Sequence, residues 1–280
     1  MSNELWRLGA LELAGMIAGR QVSSREVIEA HLARIDEVNP RLNAVVRRLD
    51  AEALAAADAA DQAVAAGAPL GPLHGVPMTV KENIDLAGTP TSNSVVAFAE
   101  AIASADAPTV ERMRGAGAIP IGRTNLPDFG LRIFTESSLH GTTDNPWKAG
   151  LTAGGSSGGE GSALASGMSP IGLGNDIGGS LRNPAHCCGI ASIKPSTGVV
   201  PHAMVIPPEE SGIVSQLMAV QGVMARRVAD VRAGFRVVAG PHLRDPQALP
   251  VVLGDVQPGR RLRVAVLPDP PGGSTHPGVA

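Results

Sequence analysis

Between positions 23 and 38 the apolar residues Val27, Ile28, Leu32, Ile35 and Val38 recur at helical spacing. Ser23, with Glu26 three places later, spells a capping box at the start of that stretch, and Pro40 reads as its end. An alanine-rich segment from about Asp50 to Ala66 predicts a second helix, stopped by Gly67. Past Gly71-Pro72 and Gly75 the texture changes, and Met78-Thr79-Val80-Lys81 reads as a short strand with Lys81 at its end. A helix starts at Pro108 and runs to Met113, closed by Gly115 and Gly117, and Ala118 to Gly122 follows as a buried strand. Farther on, the pattern predicts a short helix over Glu160–Ser166 and a longer one over Val228–Val238. It also predicts strands at Ile171–Leu173, Ile190–Lys194 and Leu262–Leu267. Helix alternating with strand argues for α/β layers. No linker or internal repeat divides the chain, so residues 1–280 are read as a single domain.

Composition narrows the class. Hydrophobic residues make up 44% of the 280 positions, enough for a globular core and too many for disorder. With four Phe, two Trp and no Tyr, that core has to be aliphatic. A net charge of −3 supplies no basic patch for nucleic acid and no polybasic membrane anchor. Glu4 and Glu12 interrupt the amino-terminal apolar stretch, so it is no signal peptide, and no run reaches spanning length. A cytoplasmic protein is the default expectation. Cys187 and Cys188 are adjacent, which disfavours a disulfide between them. His186 beside them has no second ligand cluster at zinc-like spacing, so neither a metal nor a cofactor is expected.

The candidate chemistry sits in two glycine–serine runs, Gly154-Gly155-Ser156-Ser157-Gly158-Gly159 and Gly178-Gly179-Ser180. A Walker loop would close on Gly-Lys-Ser/Thr, and here Gly159-Glu160 stands in that place. A dinucleotide fingerprint would need a glycine where Ile177 stands, and the second run, Gly178-Gly179-Ser180-Leu181-Arg182, does not spell the G-x-S-x-G of a hydrolase elbow. Taken singly, either run is also what a tight-packing loop would look like.

Read together with their flanks, the runs closely resemble the amidase signature family. The resemblance rests on Leu151 to Glu160 and Gly174 to Ala185, and on the lysine segment Gly75-Val76-Pro77-Met78-Thr79-Val80-Lys81-Glu82-Asn83-Ile84. Gly122 to Pro127, Asn145-Pro146-Trp147 and Lys194 to Gly198 fall in order as well. It implies a mixed β-sheet core flanked by helices on both faces. It also implies a catalytic set of Ser180 as nucleophile, Ser156 as bridging serine after a cis peptide, and Lys81 as base. Ser180 follows Ser156 by 24 positions, and Ser156 follows Lys81 by 75.

The residue types suit that chemistry. A serine hydroxyl needs a base as it attacks, and lysine serves only when neutral. Bringing its pKa from about 10.4 to near 7 takes roughly 4–5 kcal/mol of differential environment, which burial can supply. Ser156 would relay protons between Lys81 and Ser180, and the N–H groups of Ile177, Gly178, Gly179 and Ser180 would form the oxyanion hole. Ser157 and Asp176 are read as orienting the loops, Arg182 as pairing with a carboxylate to hold the serine loop, and Glu160 as favouring a helix N-terminus. His74, His140 and His186 receive no role.

Two departures from the family pattern stand out. Asn175 occupies a position usually held by Thr or Ser, which is expected to weaken a hydrogen bond near the oxyanion hole without touching the triad. Family members also continue well beyond this length, so the sheet is expected to be incomplete at the C-terminus and the isolated chain weakly active or inactive. The resemblance implies an amidase that hydrolyses a small-molecule amide through an acyl-serine, and it allows a homodimer. The alternatives are the amide-transferring subunit that works on charged tRNA and an inactive remnant. The transferase ranks lower because Pro207 to Val223 resembles stand-alone amidases more.

Overall fold

The computed structural model describes residues 2–206 and 212–251, together with a few positions between 253 and 265. Apart from Arg263 and Ala265, the strand expected at Leu262–Leu267 lies outside the described residues. In chain order the elements are α1 (Ala10–Ala18), α2 (Ser24–Leu42), β1 (Val45–Arg48), α3 (Asp50–Ala65), β2 (Pro77–Lys81), α4 (Pro108–Gly115), β3 (Ile119–Thr124) and the short pair β4 (Glu136–Ser137) and β5 (Gly141–Thr142). There follow α5 (Gly158–Ala165), β6 (Ile171–Asp176), α6 (Arg182–Cys188), β7 (Ala191–Ser192), α7 (Ile213–Met218), β8 (Val220–Ala225) and α8 (Val228–Val238).

Six strands form one mixed sheet in the order β1-β3-β2-β6-β8-β7. β2 lies at its centre, parallel to both β3 and β6, while β8 runs antiparallel to β6 and β7, and β1 antiparallel to β3. Strand alternation then sorts the side chains. Met78 and Val80 of β2, with Ile171 and Leu173 of β6, join the apolar cluster built by α1, α4 and α8 on one face. On the other face Ile119 and Ile121 of β3 pack against α2 and α3. Thr79 and Lys81, the alternate residues of β2, turn toward α5. The expected α/β sheet with helices on both faces is therefore present, and the polar positions of its central strand point at one helix. Among the described residues no helix is long and apolar enough to cross a membrane.

Several boundaries differ from the sequence pattern. α2 does not stop at Pro40 but continues to Leu42 and ends at Asn43, which is left-handed (φ 48°). A proline in the last turn removes a single backbone hydrogen bond, and the left-handed Asn43 supplies the stop. The Asn39 side chain completes it by accepting from the N–H groups of Ala44 and Val45, both at 2.9 Å. The capping box at the other end is formed as expected, with Ser23 and Glu26 bonded reciprocally. β7 spans only two residues of the expected Ile190–Lys194 strand, whereas β6 continues past Leu173 to Asp176 because β8 pairs with it along its whole length.

Candidate active site

Lys81 is the last residue of β2 and is fully buried. The β2 side chains alternate, so a polar residue at 79 obliges the one at 81 to share its face. The turn that follows is pinned by the buried Arg123, whose Nη2 donates to the carbonyls of Lys81 (3.3 Å) and Ile84 (2.6 Å). On the site face Lys81 Nζ donates to Ser156 Oγ at 2.7 Å and to Asn175 Oδ1 at 2.6 Å. Burial pushes its amine down to about 7, against the opposing pull of the Asp176 and Glu160 charges.

Ser156 lies in the loop that leads into α5, after a cis Gly155–Ser156 peptide. The glycines there answer to crowding. A Cβ on Gly155 would stand 2.6 Å from the Phe134 nitrogen, and one on Gly154 would stand 2.7 Å from Asn183 Oδ1. Glu160, in the first turn of α5, is not an exposed helix-end charge. It is fully buried and accepts from Thr79 Oγ1 and, at 2.7 Å, from Thr124 Oγ1. Burial raises its carboxyl to about 7, although both hydroxyls and the Lys81 charge favour the anion.

Ser180 ends the loop that follows β6. Asp176 organises this loop from its own side chain, accepting from the N–H of Gly179 (2.8 Å), the N–H of Leu181 (2.9 Å) and the Arg182 guanidinium (2.9 and 3.1 Å). Burial alone would push the Asp176 carboxyl up. The Arg182 hydrogen bonds, the two backbone N–H groups and the Arg182 charge outweigh it and hold the group at about 2. The Gly179 N–H, expected from the sequence in the oxyanion hole, donates here to Asp176 Oδ1 at 2.8 Å. Gly179 instead contributes its φ of 122°, which turns the chain toward Ser180.

Ser156, Asn175, Asp176, Ile177 and Ser180 share the wall of one cavity of about 290 Å³. Among the described residues no hydrogen bond joins the Ser156 and Ser180 side chains. The two loops are tied instead by the Ser157 N–H, which donates to the Ser180 carbonyl at 3.3 Å. Ser157 Oγ donates to the Asn175 carbonyl at 3.3 Å, an orienting contact. His140 bonds Glu82 at 2.6 Å and His74 bonds the Ala60 carbonyl at 3.0 Å.

The sequence model of the family described as Amidase matches residues 26–280. The chain belongs to the amidase family. It is 48% identical over 276 residues to an indoleacetamide hydrolase of Bradyrhizobium diazoefficiens, an alignment covering 99% of this chain and 53% of that protein. It is 39% identical over 244 residues to an acylamidase of Rhodococcus erythropolis, covering 86% of this chain and 50% of that enzyme. Its structure superposes on a bacterial aryl acylamidase of the amidase signature enzymes with a TM-score of 0.82 and 32% identity, covering 88% of this chain and 50% of that one. The chain thus spans about half the length of these relatives.

Several residues of this site escaped the sequence pattern. Asn175 does touch Lys81, contrary to expectation, and its Nδ2 donates to Asn83 Oδ1 at 2.8 Å. Phe129, His202, Met204 and Ile206 line the cavity from distant segments. The available signal for Asn83 was its place two residues beyond the lysine. Nothing local marks positions 202–206.

Proposed function

We propose that this chain carries the reacting groups of an amidase that hydrolyses a carboxylic amide to the acid and ammonia or an amine. Ser180 Oγ attacks the amide carbon, its proton passes to Ser156 as the Ser156 proton passes to Lys81, and the tetrahedral oxygen is held by the N–H groups of Ile177, Gly178 and Ser180. Collapse returns the proton along the same route to the departing nitrogen and leaves an acyl-Ser180. Water, deprotonated by the same relay, then releases the acid. One observation supports this reading above the others: a fully buried lysine, with its amine lowered to about 7, donates at 2.7 Å to a serine that shares a cavity with a second serine. Because Ser156 and Ser180 are not bonded at rest, the relay closes as the substrate settles.

Phe129, Leu131, Met204 and Ile206 give the cavity apolar walls, which favours an amide with an apolar acyl group. The relative named as an indoleacetamide hydrolase fits that preference. The reading calls for no cofactor and assumes a small-molecule substrate met in the cytoplasm. The test is fluorophosphonate labelling located by mass spectrometry, beside ammonia release from an arylacetamide. Labelling at Ser180 that is lost in Lys81→Ala and Ser156→Ala supports the relay. Labelling of Ser180 that survives both substitutions overturns it. Glutaminase activity seen only with added partner subunits would favour the amide-transferring alternative.

A further inference from the structure

We infer that Asn175, held in one orientation by Asn83, is a positioning residue that directs the Lys81 amine and sets how tightly it keeps its proton. The inference rests on the reading of Lys81 as the base. It goes beyond that reading by assigning the control of the base to two carboxamides.

The geometry carries the argument. Among the described residues, Ser156 and Asn175 are the two side chains hydrogen-bonded to Lys81 Nζ. A hydroxyl can donate or accept, but a carboxamide oxygen only accepts. Lys81 must therefore turn an N–H toward Asn175 Oδ1 whether the amine is charged or neutral. In the neutral form one N–H is taken by Asn175, and the lone pair is left to face the Ser156 hydroxyl. An Asn175 rotated by half a turn would do the opposite, presenting its NH2 to that lone pair and competing with Ser156. Asn83 decides between the two, because its Oδ1 accepts from Asn175 Nδ2 at 2.8 Å and thereby leaves Oδ1 for the lysine. A bond from a charged donor to a neutral acceptor is the stronger kind, so Asn175 also favours the ammonium.

Other charged groups face the amine from neighbouring elements. Glu160 of α5 is bonded to Thr79 and Thr124, and Asp176 at the end of β6 is bonded to Arg182. Arg123 of β3 reaches the Lys81 carbonyl, and Glu82 in the following turn is bonded to Ser92 and His140. Among the described residues none of these groups is hydrogen-bonded to the Asn175 or Asn83 side chain, so a shift produced by either substitution reports on the carboxamides.

The chain has three lysines, Lys81, Lys148 and Lys194, which makes a direct titration practical. Lysine labelled with ¹³C at Cε gives one signal for each, and Lys81 is assigned by its loss in Lys81→Met. Asn175→Leu is expected to lower the Lys81 midpoint by about one pH unit, a tenfold change in the neutral fraction at a given pH. Asn83→Leu should lower it in the same direction, and Asn175→Asp should raise it. Asn175→Thr, which restores an acceptor, should bring the midpoint back toward the parent value. Lys148 and Lys194 serve as internal references for a folded chain. An Asn175→Asp midpoint that coincides with the parent's overturns the inference even if Asn175→Leu does not fold. The readout needs no catalysis. If the titrations shift as expected while Ser180 labelling is indifferent to Lys81→Met, the base reading has failed and the positioning has not.

Discussion

Lys81 Nζ stands 2.7 Å from Ser156 Oγ, and both side chains are buried where β2 ends beneath the loop leading into α5. The contact joins two parts of the sequence that are 75 positions apart, and it does so because strand alternation aims Lys81 at α5. Burial brings the amine from 10.5 to about 7. At neutral pH an ordinary lysine is neutral only to about 0.04%, so the shift raises the supply of base about a thousandfold.

The first prediction follows from that supply. The neutral amine is the competent form, so the rate of Ser180 labelling should rise as pH increases through about 7 and level off above it. Lys81→Met should slow labelling by about 10²–10⁴-fold and remove the pH dependence. The stability consequence has a definite sign. The unfolded lysine binds its proton more tightly than the folded one, so stability should rise with pH between about 7 and 10.5 in the parent and not in the methionine variant. Urea denaturation across that window checks it.

Glu160 makes the mirror-image prediction. Its carboxyl is raised from 4.5 to about 7 by burial, so the folded state holds the proton more tightly than the unfolded chain. Its contribution to stability is fully present below 4.5 and is lost as pH rises through about 7. Glu160→Gln, which cannot ionise, should lose less stability than the parent between those limits. Parallel curves for the two proteins, measured by urea titration at several pH values, would count against a proton held in the fold.

How much of this was readable in advance depends on whether the cause is local. The capping box at Ser23 and Glu26, the α8 span and the lysine strand are set by nearby residues, and the chain forms them where the pattern puts them. The grouping of Lys81, Ser156 and Ser180 was legible only as a resemblance, since no periodicity links positions that far apart. Asn175 was misjudged for the same reason: its reach to Lys81 and Asn83 depends on β6 lying beside β2, a fact of sheet order. The committed N–H of Gly179 was hidden because it follows from the conformation of a loop folded back on Asp176.

That loop gives a contrast between the two members of one ion pair. Asp176 is buried and serves two backbone N–H groups besides Arg182, whereas the Arg182 side chain is 57% exposed. Asp176→Ala should cost about 3 kcal/mol and mis-set Ser180, because it strands buried donors. Arg182→Ala should cost no more than about 1 kcal/mol, as a screened surface partner does. Chemical denaturation of the two variants should separate them clearly. The depressed Asp176 carboxyl adds stability above 3.8 that is lost as pH falls through about 2, so acid unfolding should begin at higher pH in Arg182→Ala.

The glycines of the site are not interchangeable, and three alanine substitutions should rank them. A Cβ on Gly172 would collide with Glu160 Oε1 and stand 2.9 Å from Thr79 Oγ1. The carboxyl cannot swing aside without leaving Thr79 and Thr124, so Gly172→Ala should cost about 3 kcal/mol. Gly179 meets no close neighbour but holds a φ of 122°, and alanine there should cost about 1–3 kcal/mol while turning Ser180 out of line. Gly178 has neither constraint: a Cβ would point into open space and φ is not positive. Gly178→Ala should stay within about 1 kcal/mol of the parent. Urea midpoints test the order 172, 179, 178. A Gly178→Ala chain that folds normally yet loses Ser180 labelling would show that the glycine is needed by the ligand and not by the fold.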